Sequence, residues 1–207
     1  MIEVQIEMPS LKKILKELDV PKDKSKLILR KAINDTVKET QKYMFQEADA
    51  EYTMESEDIK AALDQKKATT GNLFGAVYSR SNVKEMYADY NYDLMSGGGF
   101  AANIVRGKHE PVQSADGSRK AFYVTYKNSN KFAGARDHTT IAIRKGKKKL
   151  PIHTILAPSV PKQMGFYSKA SAKSKAREEK TTDYVHDRLA ANIQTSITRF
   201  LGGSVTT

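Results

Sequence analysis

The chain has 207 residues, of which 39% are hydrophobic and 29% are charged, and its formal net charge at pH 7 is +11. Because it contains no cysteine, disulfides, thiolate catalysis and cysteine-based metal sites are excluded. It has neither an apolar run long enough to cross a bilayer nor a signal-peptide pattern, so we expect an intracellular, soluble protein without a membrane partner.

The basic excess is concentrated in one part of the chain. Residues 100–176 contain sixteen Lys or Arg and three acids, whereas the remaining residues are close to neutral. Such a segment is typical of a surface that faces a polyanion or an acidic protein, and equally typical of well-solvated loops. Charge alone leaves both interpretations open.

The N-terminal part of the chain predicts mainly helices. Val4 and Ile6 alternate with polar residues as in a short strand, and Ser10 is placed to begin a short helix. A long helix is predicted from about residue 24 to residue 50, because residues suited to burial recur every three or four positions. These residues are Leu29, Ile33, Val37, Thr40, Met44 and Ala48.

A second, short helix completes the N-terminal helical part, residues 24–65. Ser56 is a suitable N-cap, and the acids Glu57 and Asp58 that follow it favour the positive end of a helix dipole. We expect this helix to end near Gln65.

The middle of the chain, residues 70–150, is predicted to be rich in strands. Strands are predicted at 73–80, 101–105 and 121–127, and the last of them shows a clear alternation of its two faces. A long loop is predicted over 81–120, and its glycines, Gly97-Gly98-Gly99, are typical of a loop tip.

A hairpin is predicted from strands at 132–136 and 139–145, with Asp137 and His138 in its turn. Its basic side chains are candidate contacts to DNA or to an acidic partner: Arg136, Arg144, Lys145, Lys147, Lys148 and Lys149. Phosphate contacts of this kind would give weak, salt-sensitive binding without sequence preference. A lysine-rich hairpin tip is also a common solubility device, so this second interpretation stays open.

A proline-rich connector is predicted at 151–167. Proline disfavours helical backbone at the preceding residue, which predicts extended conformations for Leu150, Ala157 and Val160. The apolar side chains of Ile152, Ile155 and Leu156 are expected to be buried. We predict assembly contacts for Leu150, Pro151, Ile152, Pro158, Ser159, Val160 and Pro161, against the simpler interpretation of a rigid loop.

The last predicted element is a helix over 175–201, whose apolar face is formed at helical spacing by Tyr184, Val185, Leu189, Ile193, Ile197 and Phe200 or Leu201. The expected fold class is therefore α+β: long helices near the N- and C-termini around a mainly antiparallel β-sheet with extended loops. We expect a single domain over residues 1–207.

Nothing in the chain predicts catalysis. The four histidines are scattered, without the spacing of metal ligands, and the glycine triplet lacks the residues of a phosphate-binding loop. The pair Asp137-His138 could belong to a catalytic triad, but no nucleophile elbow accompanies it. We predict no catalytic residue, no metal and no cofactor.

Two stretches of the chain resemble the phage minor tail protein Z family. The first runs from Phe132 to Ile152, FAGARDHTTIAIRKGKKKLPI, and continues with APSVPKQM from Ala157 to Met164. The second covers Glu51 to Thr69. The chain departs from the family pattern at Ala157, where a glycine is usual, and residues 80–119 match nothing in it.

The resemblance implies a structural subunit of a phage or phage-derived tail, placed in the virion at the head-proximal end after assembly in the host cytoplasm. The implied partners are further copies in a hexameric ring, the tail tube or tail terminator, neck or connector proteins, and genomic DNA in the lumen. The alternative is a sequence-independent DNA-binding module that uses the basic hairpin at 136–149. A hydrolase or nuclease built on Asp137 and His138 is the third hypothesis.

Overall fold

A computed structural model gives the fold of this chain. It describes residues 22–80, 84–85, 90, 92–113, 119–127, 137–145, 149–157, 159–163 and 172–201. The strand predicted at Val4 to Ile6 and the helix predicted from Ser10 lie outside these residues. The described residues divide into two compact units. The helical unit takes those within 1–47, 60–80 and 160–207, and the strand unit those within 48–59 and 81–159.

The described elements are helices and short antiparallel sheets, which confirms the α+β prediction. The helices are α1 (Lys22–Glu51), α2 (Ser56–Ala62), α3 (Val160–Gln163) and α4 (Ala172–Leu201). The strands are β1 (Leu63–Lys66), β2 (Ala76–Ser79), β3 (Lys84–Glu85), β4 (Tyr92–Leu94), β5 (Phe100–Ala102), β6 (Glu110–Val112), β7 (Phe122–Tyr126), β8 (His138–Arg144), β9 (Ile152–Thr154) and β10 (Leu156–Ala157). They pair as β1-β2, β10-β3, β4-β5-β6 and β7-β8-β9.

The core of the helical unit lies along α1 and α4. The stripe predicted on α1 is buried over its whole length. Of the residues predicted on α4, Val185, Leu189, Ile193 and Ile197 are buried, whereas Tyr184 and Phe200 are half-buried. Thr36 contacts Asn192, Glu39 contacts Arg188, and Glu47 contacts Lys180. Because the α4 partners descend in number as those on α1 rise, the two helices pack antiparallel.

The hairpin β1-β2 packs against α1 through specific polar contacts. The side chain of Asn34 donates to the carbonyl oxygen of Ala68 at 3.1 Å and accepts from the amide of the same residue at 2.7 Å. Gly75, just before β2, approaches α1 so closely that a Cβ there would lie 2.6 Å from side-chain carbons of Ile33 and Val37. Glycine is the residue that permits this approach.

The end of α2 differs from the prediction. The helix stops at Ala62, and Leu63 is already the first residue of β1, where it pairs with Ser79. The prediction had extended the helix to about Gln65, with Leu63 on its buried side. Pairing with β2, a strand more than ten residues further along the chain, overrides that local preference.

The strand unit has a three-stranded sheet where a long loop was predicted. Strands β4, β5 and β6 pair antiparallel within residues 92–112, and each contains only three residues. The strand predicted at 101–105 overlaps β5, whereas β4 and β6 fall where only a loop was predicted. Strands of three residues are too short to show a period-two pattern, which explains why β4 and β6 were missed. The predicted glycine turn is confirmed between β4 and β5, where Gly98 and Gly99 have positive φ.

Strand β8 is the centre of the sheet β7-β8-β9. Phe122 of β7 pairs with Ala142, and on the other side Thr154 of β9 pairs with the same residue. His138 is the first residue of β8 and pairs with Tyr126, so the prediction of a turn at 137–138 was wrong for His138. Its β-branched neighbours, Thr139 and Thr140, favour the extended backbone that continues the strand. The other predicted hairpin strand, 132–136, lies outside the described residues.

No helix in the described part of the chain combines the length and the apolar character that crossing a bilayer requires.

Candidate functional site

Three of the predicted basic residues meet at one end of the sheet β7-β8-β9. Arg144 is the last residue of β8 and pairs with Ile152, while the amide of Lys145 donates to the carbonyl oxygen of Pro151 at 3.0 Å. Lys149 lies two residues before Pro151, and all three side chains are exposed. We call Arg144, Lys145 and Lys149 the basic tip. Arg136, Lys147 and Lys148 lie outside the described residues.

The guanidinium of Arg144 is held in place by an aromatic ring. Its central carbon lies 5.0 Å from the centroid of Phe122 on the neighbouring strand. A cation over a ring face is stabilised by the ring quadrupole and keeps its outer side available to solvent or to an anion. None of the three side chains of the basic tip forms an ion pair with an acid within the described residues.

The connector is more structured than predicted, and two of its residues are corrected. Leu156 is 58% exposed although burial was expected, because β10 pairs only with the two-residue strand β3. Val160 was expected to be extended and instead begins α3. Proline within the first turn of a helix needs no amide hydrogen, so Pro161 is compatible with this start.

The other connector residues divide between exposed and buried positions. Leu150 is 70% exposed and precedes Pro151 through a cis peptide bond, while Ile152 is half-buried in β9. Ser159 and Val160 are buried in the structure. Pro158 lies outside the described residues. Of the predicted assembly contacts within the described residues, Leu150 is thus the large apolar side chain that is exposed and available for a contact with a partner.

Two of the four histidines have contacts with side chains of neighbouring strands or loops. His138 stacks on Tyr126 with a ring separation of 6.4 Å, and His109 contacts Asp93 at 3.0 Å, where both side chains are exposed. No group of three potential metal ligands occurs among the side chains that the structure describes.

A polar ladder joins α1 and α4. Arg188 donates through Nε to Glu39 Oε2 at 2.7 Å, and Asn192 donates to the same oxygen and to Thr36 Oγ1, each at 3.1 Å. The hydrogen bond from Arg188 lowers the pKa of Glu39 below that of an ordinary glutamate. Tyr43 and Tyr184 stack with centroids 4.1 Å apart. Since each contact requires one alignment, the ladder fixes the register of the helix pair.

A row of acids on α4 escaped the sequence prediction. Glu179, Asp183 and Asp187 are all exposed and follow one another at steps of four residues, so they lie on one face of the helix. We call these three residues the acidic stripe. Glu178 and Thr182 lie beside it and line the same shallow depression. The spacing of four residues between the acids was the available signal, and no prediction was drawn from it.

No protein-family model, no curated protein and no solved structure matches the chain.

Proposed function

We propose that this protein is a non-catalytic structural subunit of a phage or phage-derived tail. In this proposal, copies of the chain form a ring at the head-proximal end, where they complete the tail and join the tail tube to neck proteins and DNA. The location in a tail rests on the motifs in 132–152 and 157–164. The role as an assembly subunit rests on a physical feature of the strand unit.

That feature is the number of exposed apolar side chains in the strand unit. Of the seven large hydrophobic residues that are exposed in the described part of the chain, six belong to this unit: Leu94, Met95, Tyr123, Tyr126, Leu150 and Leu156. Apolar side chains of this size gain stabilisation when another protein removes them from water. A subunit of a permanent assembly gains part of its stability from such contacts.

The test is the assembly state of the purified full chain. We expect sedimentation velocity to show a concentration-dependent oligomer and negative-stain electron microscopy to show rings. Mass spectrometry of tail-like particles from cells that encode the chain should detect it among the structural proteins. A chain that stays monomeric at high concentration and is absent from such particles would contradict the proposal.

A second candidate is sequence-independent DNA binding, which the exposure of the basic tip favours. Three cations that lack acidic partners among the described residues can neutralise phosphates and release counterions. Duplex binding should therefore weaken steeply with salt, and R144A/K145A/K149A should lower the slope of log affinity against log salt by up to about 3, roughly one per lost phosphate contact. An unchanged slope would remove these residues from the DNA contact.

A further inference from the structure

We propose that the basic tip and Leu150 of one copy dock on the acidic stripe of α4 in a second copy of the same chain. This inference rests on the proposed function, because it names the surfaces through which the copies associate. Tip and stripe are different surfaces, so the contact is head-to-tail, and it leaves an unused tip and an unused stripe for the next copy.

The tip has the composition of a protein contact rather than of a phosphate contact alone. Leu150, directly after Lys149, is 70% exposed. An apolar side chain of this size gains stabilisation when a partner removes it from water, but a phosphate backbone offers it no apolar surface. Combined with charged neighbours, Leu150 is suited to a partner that is acidic with apolar surface beside the acids.

The acidic stripe has this complementary composition. Like charges four residues apart on a helix destabilise it, by roughly 0.2–0.5 kcal/mol for each pair, so the stripe does not stabilise α4 on its own. None of its three acids forms an ion pair with a described residue. One turn further along α4, Ala190 and Ala191 are exposed and present a small apolar surface. Leu150 can pack on these alanines while the cations of the tip face the acids.

Both surfaces are exposed within the single chain, so each is available to another molecule. Two cations beside the stripe on α4 have other partners, because Lys180 is bound to Glu47 at 3.0 Å and Arg188 to Glu39 at 2.7 Å. Complementary charges mainly accelerate association and select the partner, whereas the leucine supplies apolar burial. The contact should therefore weaken with salt without disappearing.

The experiment compares self-association of charge-reversed full chains by sedimentation velocity at low and moderate salt. K145E/K149E and E179K/D183K should each weaken self-association by about tenfold or more, since they place like charges opposite each other. K145E/K149E/E179K/D183K, which reverses both surfaces in one chain, should restore it. The matched control is K108E/K127E, which changes the net charge as much as K145E/K149E does but at exposed lysines outside the tip.

The outcomes separate this inference from the proposed function. If the wild type assembles and the variants assemble equally well, the function stands and these surfaces are wrong. If K145E/K149E loses duplex binding but retains self-association, the tip is a DNA contact and the inference is overturned. Failure of the fourfold variant to recover also overturns it, provided that circular dichroism shows an intact fold. If the wild type itself remains monomeric, the proposed function fails first.

Discussion

The helical unit and the strand unit differ in how completely each buries its apolar side chains and pairs its polar ones. In the helical unit, two helices of 30 residues bury a continuous apolar stripe and align several polar pairs. In the strand unit, the eight strands of the described residues form three small sheets, and six of these strands contain only two or three residues. Exposed leucines and tyrosines remain on the strand unit's surface.

This difference indicates that the two units obtain their stability in different ways. A long helix pair can be completed by its own chain, because one stripe faces one partner over about 45 Å. Short strands bury little area per element, so a unit made of them leaves apolar surface for other molecules. The helical unit thus covers its apolar stripes with its own helices, whereas the strand unit leaves large apolar side chains exposed.

The largest expected effect tests whether the strand unit nevertheless has a core of its own. Phe100 is fully buried. The centroid of its ring lies 4.5 Å from the ring centroid of Tyr123 and 5.7 Å from that of Tyr92. We expect Phe100→Ala to lower the free energy of unfolding by about 3–5 kcal/mol. Hydrogen exchange should show lost protection in β4, β5 and β7, with the helices retained. Equal loss of protection in α1 and α4 would show that the two units unfold as one.

A smaller effect is expected from Gly75→Ala in the helical unit. The added Cβ would lie 2.6 Å from both Ile33 Cγ2 and Val37 Cγ2, so side chains or backbone must shift. Overpacking of this kind costs about 1–3 kcal/mol, which urea denaturation followed by circular dichroism will measure. Gly71→Ala is the matched control, because no atom lies within 4 Å of its added Cβ. If both variants were equally stable, Gly75 could not lie as close to α1 as the structure places it.

Much of the helical unit could be predicted from the sequence, because its information is periodic. Each residue of the α1 stripe from Leu29 to Ala48 is buried as expected, and Ser56 begins α2. Less of the strand unit could be predicted from the sequence, because β4 and β6 are defined by the strands they pair with and not by a repeating pattern. Pairing between strands distant in sequence also moved His138 from a predicted turn into β8.

The candidate site was predictable in composition but not in arrangement. Arg144, Lys145 and Lys149 are recognisable as a basic cluster in the sequence, yet only the fold shows Arg144 over Phe122 and Leu150 exposed beside them. The burial expected for Leu156 failed because apolar character predicts burial only when another element covers the residue. The four-residue spacing of the acidic stripe is present in the sequence, but only the structure shows that α4 exposes all three acids.

The pH dependence of the helical unit gives a third, smaller effect. Arg188 holds the pKa of Glu39 below its usual value, so the folded state favours the ionised carboxylate. Its stabilisation is therefore present above the ordinary glutamate pKa of about 4.3, and it is lost as the pH falls from there through the lower pKa of the folded state. Because both side chains are partly exposed, we expect at most about 1 kcal/mol.

The variant Glu39→Gln removes this titration. We expect a slightly less stable protein at neutral pH and a shallower loss of stability below pH ~4.3, measured by urea denaturation over an acid series. An acid limb of unchanged steepness would mean that the Arg188 contact adds nothing to the stability of the helix pair.

The smallest expected effect is the one in which stability and association move in opposite directions. Asp183 stands between Glu179 and Asp187 on the acidic stripe, so Asp183→Asn relieves two unfavourable pairs and should stabilise α4 by a few tenths of a kcal/mol. The same change removes a contact proposed for the basic tip and should weaken self-association, most clearly at low salt. Thermal unfolding of the monomer at low concentration and sedimentation at high concentration measure the two effects separately. If Asp183 stabilised its own helix, the substitution would lower both the thermal stability and the self-association. An increase in stability together with weaker self-association would therefore identify the stripe as a surface for a partner.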